Sequence, residues 1–359
     1  MKERFERLLD NSDDLDAIVI VNGTTPIVDS TFWYLTEQTS GSFEGSFAIA
    51  TREGLNVIVN TLEEETARSG KGNVKVYRTR DERDGLIKES LRRCKKVGFN
   101  YPYASYASVE YVKKVADFKI VNASPAIDAT VNVKDEKEIG HIREACRISS
   151  IVAGEIPDYL SEGVTEREVA NKMDRRMLEL GGHGNAFDTI AAFGRYSSEP
   201  HHMPCDYSLR KGDTALFDFG TKYNRYCSDM TRTVFLGKPE DVLLRAYEIV
   251  REAQELGVQE YYDGAPAKDA DLAAREHIDG TEFKGLFIHS FGHGIGMEVH
   301  QGISISPKSE QALVSGNVIS AEPGIYIPGV GGIRIEDTCL ITDSGFERLT
   351  SFDRNLTLA

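Results

Sequence analysis

Four carboxylates and one imidazole in the C-terminal part of this chain, Asp218, Asp229, His293, Glu322 and Glu336, have the residue types and spacing that a binuclear metal site requires. An oxygen-rich set with one imidazole and no thiolate suits Mn²⁺ or Co²⁺, with Zn²⁺ as a third candidate. Two such ions about 3.5 to 4 Å apart lower the pKa of a bridging water towards neutrality and polarise a carbonyl, a combination that hydrolyses amides.

Two hairpins bring the carboxylates together. The run Thr214 to Phe235 holds two β-branched and aromatic stretches joined at Lys222-Tyr-Asn-Arg225. A turn centred between Tyr223 and Asn224 sets Asp218 directly opposite Asp229, where two carboxylates in apolar surroundings repel unless a cation lies between them. In Ser320 to Thr338, a loop centred on Gly329 opposes Glu322 to Glu336. Gly329, Gly331 and Gly332 are expected to supply positive φ, and Pro323 to disturb the ladder beside Glu322. Acidic residues on strands are ordinarily solvated surface groups. Here Asp218 lies within Leu216-Phe-Asp-Phe219 and Glu336 within Ile333-Arg-Ile-Glu336, patterns of burial in which a charge needs a partner.

His293 sits between glycines in Phe287-Ile-His-Ser-Phe-Gly-His-Gly-Ile-Gly-Met-Glu-Val-His300. The alternating glycines are not a phosphate cradle, because no Lys-Ser/Thr follows and the dinucleotide fingerprint spacing is absent.

Taken in order, Phe217-Asp-Phe-Gly220, Ser228-Asp-Met-Thr-Arg-Thr233, Gly292-His-Gly-Ile-Gly296, Glu322-Pro-Gly-Ile-Tyr-Ile-Pro328 and Gly332-Ile-Arg-Ile-Glu-Asp337 resemble the pita-bread-fold metallopeptidases. That group holds Xaa-Pro dipeptidases (prolidases), aminopeptidase P and methionine aminopeptidase, with creatinase as a metal-free relative. The resemblance implies that Asp218, Asp229, His293, Glu322 and Glu336 hold two divalent ions, with Asp229 and Glu336 bridging them. It places His201, His289 and His300 around the substrate beside His293, His201 and His300 being the catalytic candidates. Glu322 would take the proton from the attacking water, and His201 or His300 would hydrogen-bond the carbonyl oxygen. Arg334, on the same strand face as Glu336, would fix a ligand carboxylate, its other reading being an ordinary surface arginine.

The activity implied is hydrolysis of the Xaa-Pro bond, in dipeptides or at peptide N-termini, in a homodimer. The alternatives are a non-peptidase hydrolase or a non-catalytic binding protein of the same fold. Two departures fall at the substrate pocket: His201 is followed by His202-Met-Pro-Cys205 rather than a small residue, and Val299-His300 by Gln301-Gly-Ile-Ser rather than an acidic residue.

The remaining sequence must position these groups. Its 359 residues exceed one typical domain, and 40% hydrophobic with 28% charged content is that of a globular enzyme. A net charge of −15 disfavours nucleic acid as a partner. Charge in Lys2-Glu-Arg-Phe-Glu-Arg7 and the lack of any apolar run near about 18 residues predict a cytoplasmic protein with no membrane contact. The cysteines at 94, 146, 205, 227 and 339 are odd in number and without Cys-x-x-Cys spacing, so buried free thiols are expected.

The fold class expected is α+β. Strand-like runs at Ala17 to Val21, Ser46 to Ala50, Asn56 to Val59, Val74 to Tyr77 and Lys96 to Phe99 alternate with charged helical segments. They form a smaller α/β N-terminal domain over 1–130, where Phe32-Trp-Tyr-Leu-Thr36 is similar to the creatinase/prolidase N-terminal domain. The resemblance gives 131–359 as the catalytic domain, a curved and mostly antiparallel sheet backed by helices. Those helices are predicted from Lys134, from Thr165 with its Thr-x-x-Glu capping box, over Pro239 to Leu256, and over Ala267 to His277. Met173 and Met177 belong to an apolar stripe with Val169 and are core residues.

Overall fold

The computed structural model describes residues 2–12, 14–24 and 28–355. The chain forms two compact units, Met1–Val131 and Asn132–Ala359.

The first unit is built on one mixed sheet. Its strands run Asn73–Tyr77, Gly54–Asn60, Phe47–Thr51, Ala17–Val21, Lys96–Phe99 and Lys119–Asn122 across the sheet. A tight turn joins the antiparallel pair Phe47–Thr51 and Gly54–Asn60, the outer parallel pairs are connected through the helices Glu64–Arg68 and Tyr106–Val115, and the helix Arg80–Leu91 carries the chain from Asn73–Tyr77 to Lys96–Phe99. Ala17, Val19, Ile49, Ile58 and Val97 bury one core with Ile87 and Val112 from those helices. Phe32 to Thr36 form a short buried helix.

In the second unit the helices Glu136–Glu155 and Glu166–Glu179 start at capping boxes, on Asp135 with Glu138 and on Thr165 with Glu168. Each box satisfies backbone N–H groups that have no partner within the helix. Ile148, Val152, Val169, Met173 and Met177 pack beneath the sheet Met230–Phe235, Thr214–Phe219, Ile190–Phe193. The helices Asp241–Gln259 and Ala267–Asp279 bury a second core with Ile319, Ile325, Ile333 and Ile341. Among the described residues, every strand pairing in this unit is antiparallel.

The first hairpin differs from its predicted register by two residues. Its turn is Asn224-Arg225, both at positive φ (46° and 74°), so Thr231 and not Asp229 stands opposite Asp218. Two consecutive positive φ values match the right-handed twist of a two-residue hairpin, and Asn tolerates that conformation well. Because side chains alternate with period two, a two-residue shift leaves Asp218 and Asp229 on the same face.

The second hairpin keeps its predicted register. Gly324 pairs Arg334 and Ile327 pairs Gly331; beyond the break at Pro323 the same register resumes, with Ala321 opposite Asp337. Gly329 alone of the three glycines takes positive φ, 76°. Gly332 serves close approach instead, since a Cβ there would meet the Ser197 carbonyl oxygen at 2.0 Å.

Side chains stitch the two hairpins side by side. Thr233 Oγ1 donates to the Arg334 carbonyl (2.9 Å), the Glu336 amide donates to the Thr231 carbonyl (3.1 Å), and Thr338 Oγ1 donates to the Asp229 carbonyl (2.7 Å). Arg232 crosses behind this seam to Asp337, 2.7 Å away, with both groups almost fully buried. Removing one member of a buried pair leaves a charge unsatisfied, so Arg232→Ala should lower unfolding stability by about 3 to 5 kcal/mol in denaturant titration. A loss below ~1 kcal/mol would show that Arg348 and Arg354, 3.6 and 3.9 Å from Asp337 Oδ2, together with its hydrogen-bond partners Gln254 and Thr350, are sufficient to hold its charge.

The cysteines are all free; Cys146, Cys227 and Cys339 are buried, but Cys94 and Cys205 are only partly so. Partial exposure of these two corrects the expectation that all five are buried. Among the described residues, no helix is long and apolar enough to cross a membrane.

Candidate metal centre

Asp218, Asp229, His293, Glu322 and Glu336 line one cavity of about 530 Å³, together with His201, His289, His300 and Arg334. Asp218 is the last residue but one of the strand Thr214–Phe219, Asp229 lies just before the strand Met230–Phe235, and Glu322 and Glu336 face each other across the hairpin where its ladder is interrupted at Pro323. His293 ends the short strand Gly292–His293, held against Ser304–Ile305. A Cβ on Gly292 would meet the Ser320 carbonyl oxygen at 2.2 Å, so glycine lets that strand approach the Glu322 segment.

One ligand atom each of Asp229, His293 and Glu336 lie within 4.8 Å of one another. His293 Nε2 is 3.1 Å from Glu322 Oε1 and 3.5 Å from Asp229 Oδ2. Asp218 joins through Arg334, whose Nη2 donates to Asp218 Oδ2 at 2.6 Å. Arg334 Nε donates to Thr231 Oγ1 (3.1 Å), and Thr231 Oγ1 in turn donates to Glu336 Oε2 (2.6 Å). The buried arginine therefore links carboxylates on both hairpins.

The electrostatics are those of crowded acids. Burial, then the neighbouring Glu336 and Asp218, push Asp229 well above the usual carboxylate range. Burial and the charges of Glu322 and Asp218 do the same to Glu336. Burial also raises Asp218, against the lowering effect of Arg334. Glu322 behaves differently: burial would raise it, but the His293 hydrogen bond and charge outweigh burial and pull it to about 2. His293 is correspondingly raised, Glu322 overcoming its burial. Among the described residues, Asp218 Oδ1 and Glu336 Oε1 are buried oxygens without a hydrogen-bond partner, as ligands awaiting a cation would be. The donor set thus fits a divalent metal.

The histidines differ in freedom. His289 has Nδ1 2.9 Å from the Ser290 carbonyl and Nε2 2.8 Å from the Tyr326 hydroxyl, so both nitrogens are engaged. Burial lowers its pKa, and the neutral ring donates from Nδ1 and accepts from Tyr326. His300 lies with its ring centroid 4.0 Å from that of His293; burial and that neighbour lower its pKa. His201 is exposed on the cavity wall.

The chain matches metallopeptidase family M24 over residues 140–343, and the Creatinase/Prolidase N-terminal domain over residues 3–130. It belongs to that metallopeptidase family. An Xaa-Pro dipeptidase of Pyrococcus furiosus is 37% identical over 370 residues, covering 99% of this chain and 100% of the relative. The structure of an Xaa-Pro dipeptidase from Bacillus anthracis superposes with a TM-score of 0.92 at 30% identity, covering 99% of each chain. An X-Pro aminopeptidase from Thermotoga maritima gives 0.91 at 31% identity, covering 99% of this chain and 100% of that one. The fold of this M24 member is therefore a creatinase-type N-terminal domain followed by a pita-bread domain, and the protein is a divalent-metal-dependent peptidase.

Sequence reading did not single out Tyr326 or Thr231. Tyr326 accepts from Arg334 Nη1 (2.7 Å) and lies over two glycines: a Cβ on Gly324 would meet its hydroxyl at 2.7 Å, one on Gly332 its ring at 2.9 Å. The signal was present in the correctly read hairpin, where Tyr326 opposes Gly332 and Arg334 opposes Gly324, making the two large side chains diagonal neighbours on one face.

Proposed function

We propose that this M24 peptidase hydrolyses the bond between an N-terminal residue and a following proline, with two divalent ions, Mn²⁺ or Co²⁺ ahead of Zn²⁺, held by Asp218, Asp229, His293, Glu322 and Glu336. The observation that carries this is the convergence of these five side chains, with His201 and His300, on a single cavity. Xaa-Pro specificity is supported by the full-length likeness to the P. furiosus dipeptidase. Asp229 and Glu336, the two most strongly raised carboxylates, are the bridging ligands in this reading.

The ions would supply an acidified water and polarisation of the scissile carbonyl. The protein supplies the rest. Glu322 accepts the proton of the attacking water and passes it to the leaving nitrogen. Neutral His300, or His201, donates a hydrogen bond to the carbonyl oxygen as it becomes tetrahedral. Arg334 holds Asp218 in place, while Tyr326, fixed between Arg334 and His289, braces both of those groups.

Dipeptidase action is favoured by the names of the P. furiosus and B. anthracis proteins, aminopeptidase action by that of T. maritima. Mn²⁺-loaded protein should release proline from Ala-Pro and leave Ala-Pro-Ala-Ala intact. Cleavage of the longer peptide would make it an aminopeptidase, and cleavage of neither, with metal bound, would overturn the Xaa-Pro reading.

A further inference from the structure

A second group of ligand-type side chains lies outside the five proposed metal ligands. Glu166, His202 and Cys205 place one such atom each within 4.8 Å of the others. The Glu166 side chain is fully buried, and its oxygens are already satisfied. Oε1 accepts the Phe193 amide (2.8 Å); Oε2 accepts the Cys205 amide (2.9 Å) and faces His202 Nε2 at 2.8 Å. The other ring nitrogen, Nδ1, is 3.0 Å from Glu199 Oε2. The ring is therefore clamped between two carboxylates, one at each nitrogen. Tyr196 stacks on it, ring centroids 4.9 Å apart and planes at 22°. Cys205 is a thiol rather than a thiolate, its pKa raised by burial and by Glu166. Carboxylate oxygens already engaged by two backbone amides and the His202 ring argue for a structural clamp over a metal site.

The clamp has a purpose that its position defines. Glu166 is the first residue of the helix Glu166–Glu179, fixed by the Thr165–Glu168 capping box. His202 lies in a segment without regular secondary structure, whose Pro200, His201 and Met203 line the cavity. We propose that His202 is a positioning residue: held between Glu166 and Glu199, it fixes the 199–205 segment and so sets where His201 and Met203 meet the substrate. This rests on the reading of the cavity as a peptidase site.

The test uses the full-length, Mn²⁺-loaded protein and three variants: His202→Phe, which keeps a ring on Tyr196 but removes both ring nitrogens, Glu166→Gln, and the double variant. Hydrogen–deuterium exchange should rise over 199–205 in each. The kcat on Ala-Pro should fall ~10- to 100-fold, the scale set by small misplacements of a reacting group, with a smaller change in KM. The double variant should fall by less than the product of the two single losses, because both single variants remove the shared Glu166–His202 contact. Unchanged exchange and kcat, or additive losses, would overturn the clamp. So would a further metal equivalent in the wild type that His202→Phe loses. Should wild-type protein fail on Xaa-Pro peptides, the peptidase specificity falls, and the exchange measurement alone decides the clamp.

Discussion

Stripping the divalent ions is expected to abolish peptide hydrolysis and lower the melting temperature, and the gap between stripped and loaded protein should widen as pH rises from 5 to 8. Asp218, Asp229 and Glu336 are raised above the ordinary carboxylate range, first by burial and, for Asp229 and Glu336, further by neighbouring charges. In stripped protein the folded state holds protons that the unfolded chain releases above about pH 4. The contribution of these groups is fully present below that pH and is lost as pH rises through their folded values. Glu322 has the opposite sign: pulled to about 2, it adds stability above the ordinary range and loses it only as pH falls towards 2, outside this window.

A divalent cation replaces those protons, so its affinity increases with pH and its binding releases protons. At a free concentration a thousandfold above Kd the stabilisation is about 4 kcal/mol. Scanning calorimetry with and without Mn²⁺ at the two pH values measures the gap, and titration in buffers of different ionisation enthalpy counts the protons. An equal gap at both pH values, with no proton release, would sink the assignment of these carboxylates as ligands.

How far the site was legible depends on which contacts are local. Register in the Glu322–Glu336 hairpin followed from glycine at 329 and survived the interruption at Pro323, because the flanking strands share one register. The Asp218–Asp229 hairpin was misread by two residues, since Arg225 at φ 74° carries no local signature of a turn centre. The site survived the error because side-chain alternation kept both aspartates on one face. The strand Lys119–Asn122 was missed: it is short, alternates little, and is held by parallel pairing to Lys96–Phe99. Interactions that join distant segments were invisible. Arg334 was placed beside Glu336 by strand spacing, but its bond to Asp218, 116 residues away, depends on the seam between the hairpins. The Glu166–His202 contact likewise spans 36 residues between a helix start and an irregular segment, and no periodicity encodes it.

Glu322→Gln should reduce kcat by roughly 10²- to 10⁴-fold, the usual range for removing a general acid–base group, with little change in KM. Glutamine preserves the volume and one acceptor oxygen, so it can still take the His293 Nε2 bond (3.1 Å) and the Ser320 Oγ bond (3.1 Å) that Glu322 Oε1 now accepts. What it removes is the charge. Glu322 alone among the four clustered carboxylates is lowered rather than raised, and it is therefore ionised and able to accept a proton at neutral pH without first losing one of its own. Losing a ligand charge would also weaken metal binding, which by itself would lower activity. Turnover must therefore be measured at Mn²⁺ concentrations where the variant's metal content, determined by elemental analysis, equals that of the wild type. Normal turnover at full metal content would show that another group, His201 or His300, takes the proton. A large loss at full content places the proton transfer on Glu322.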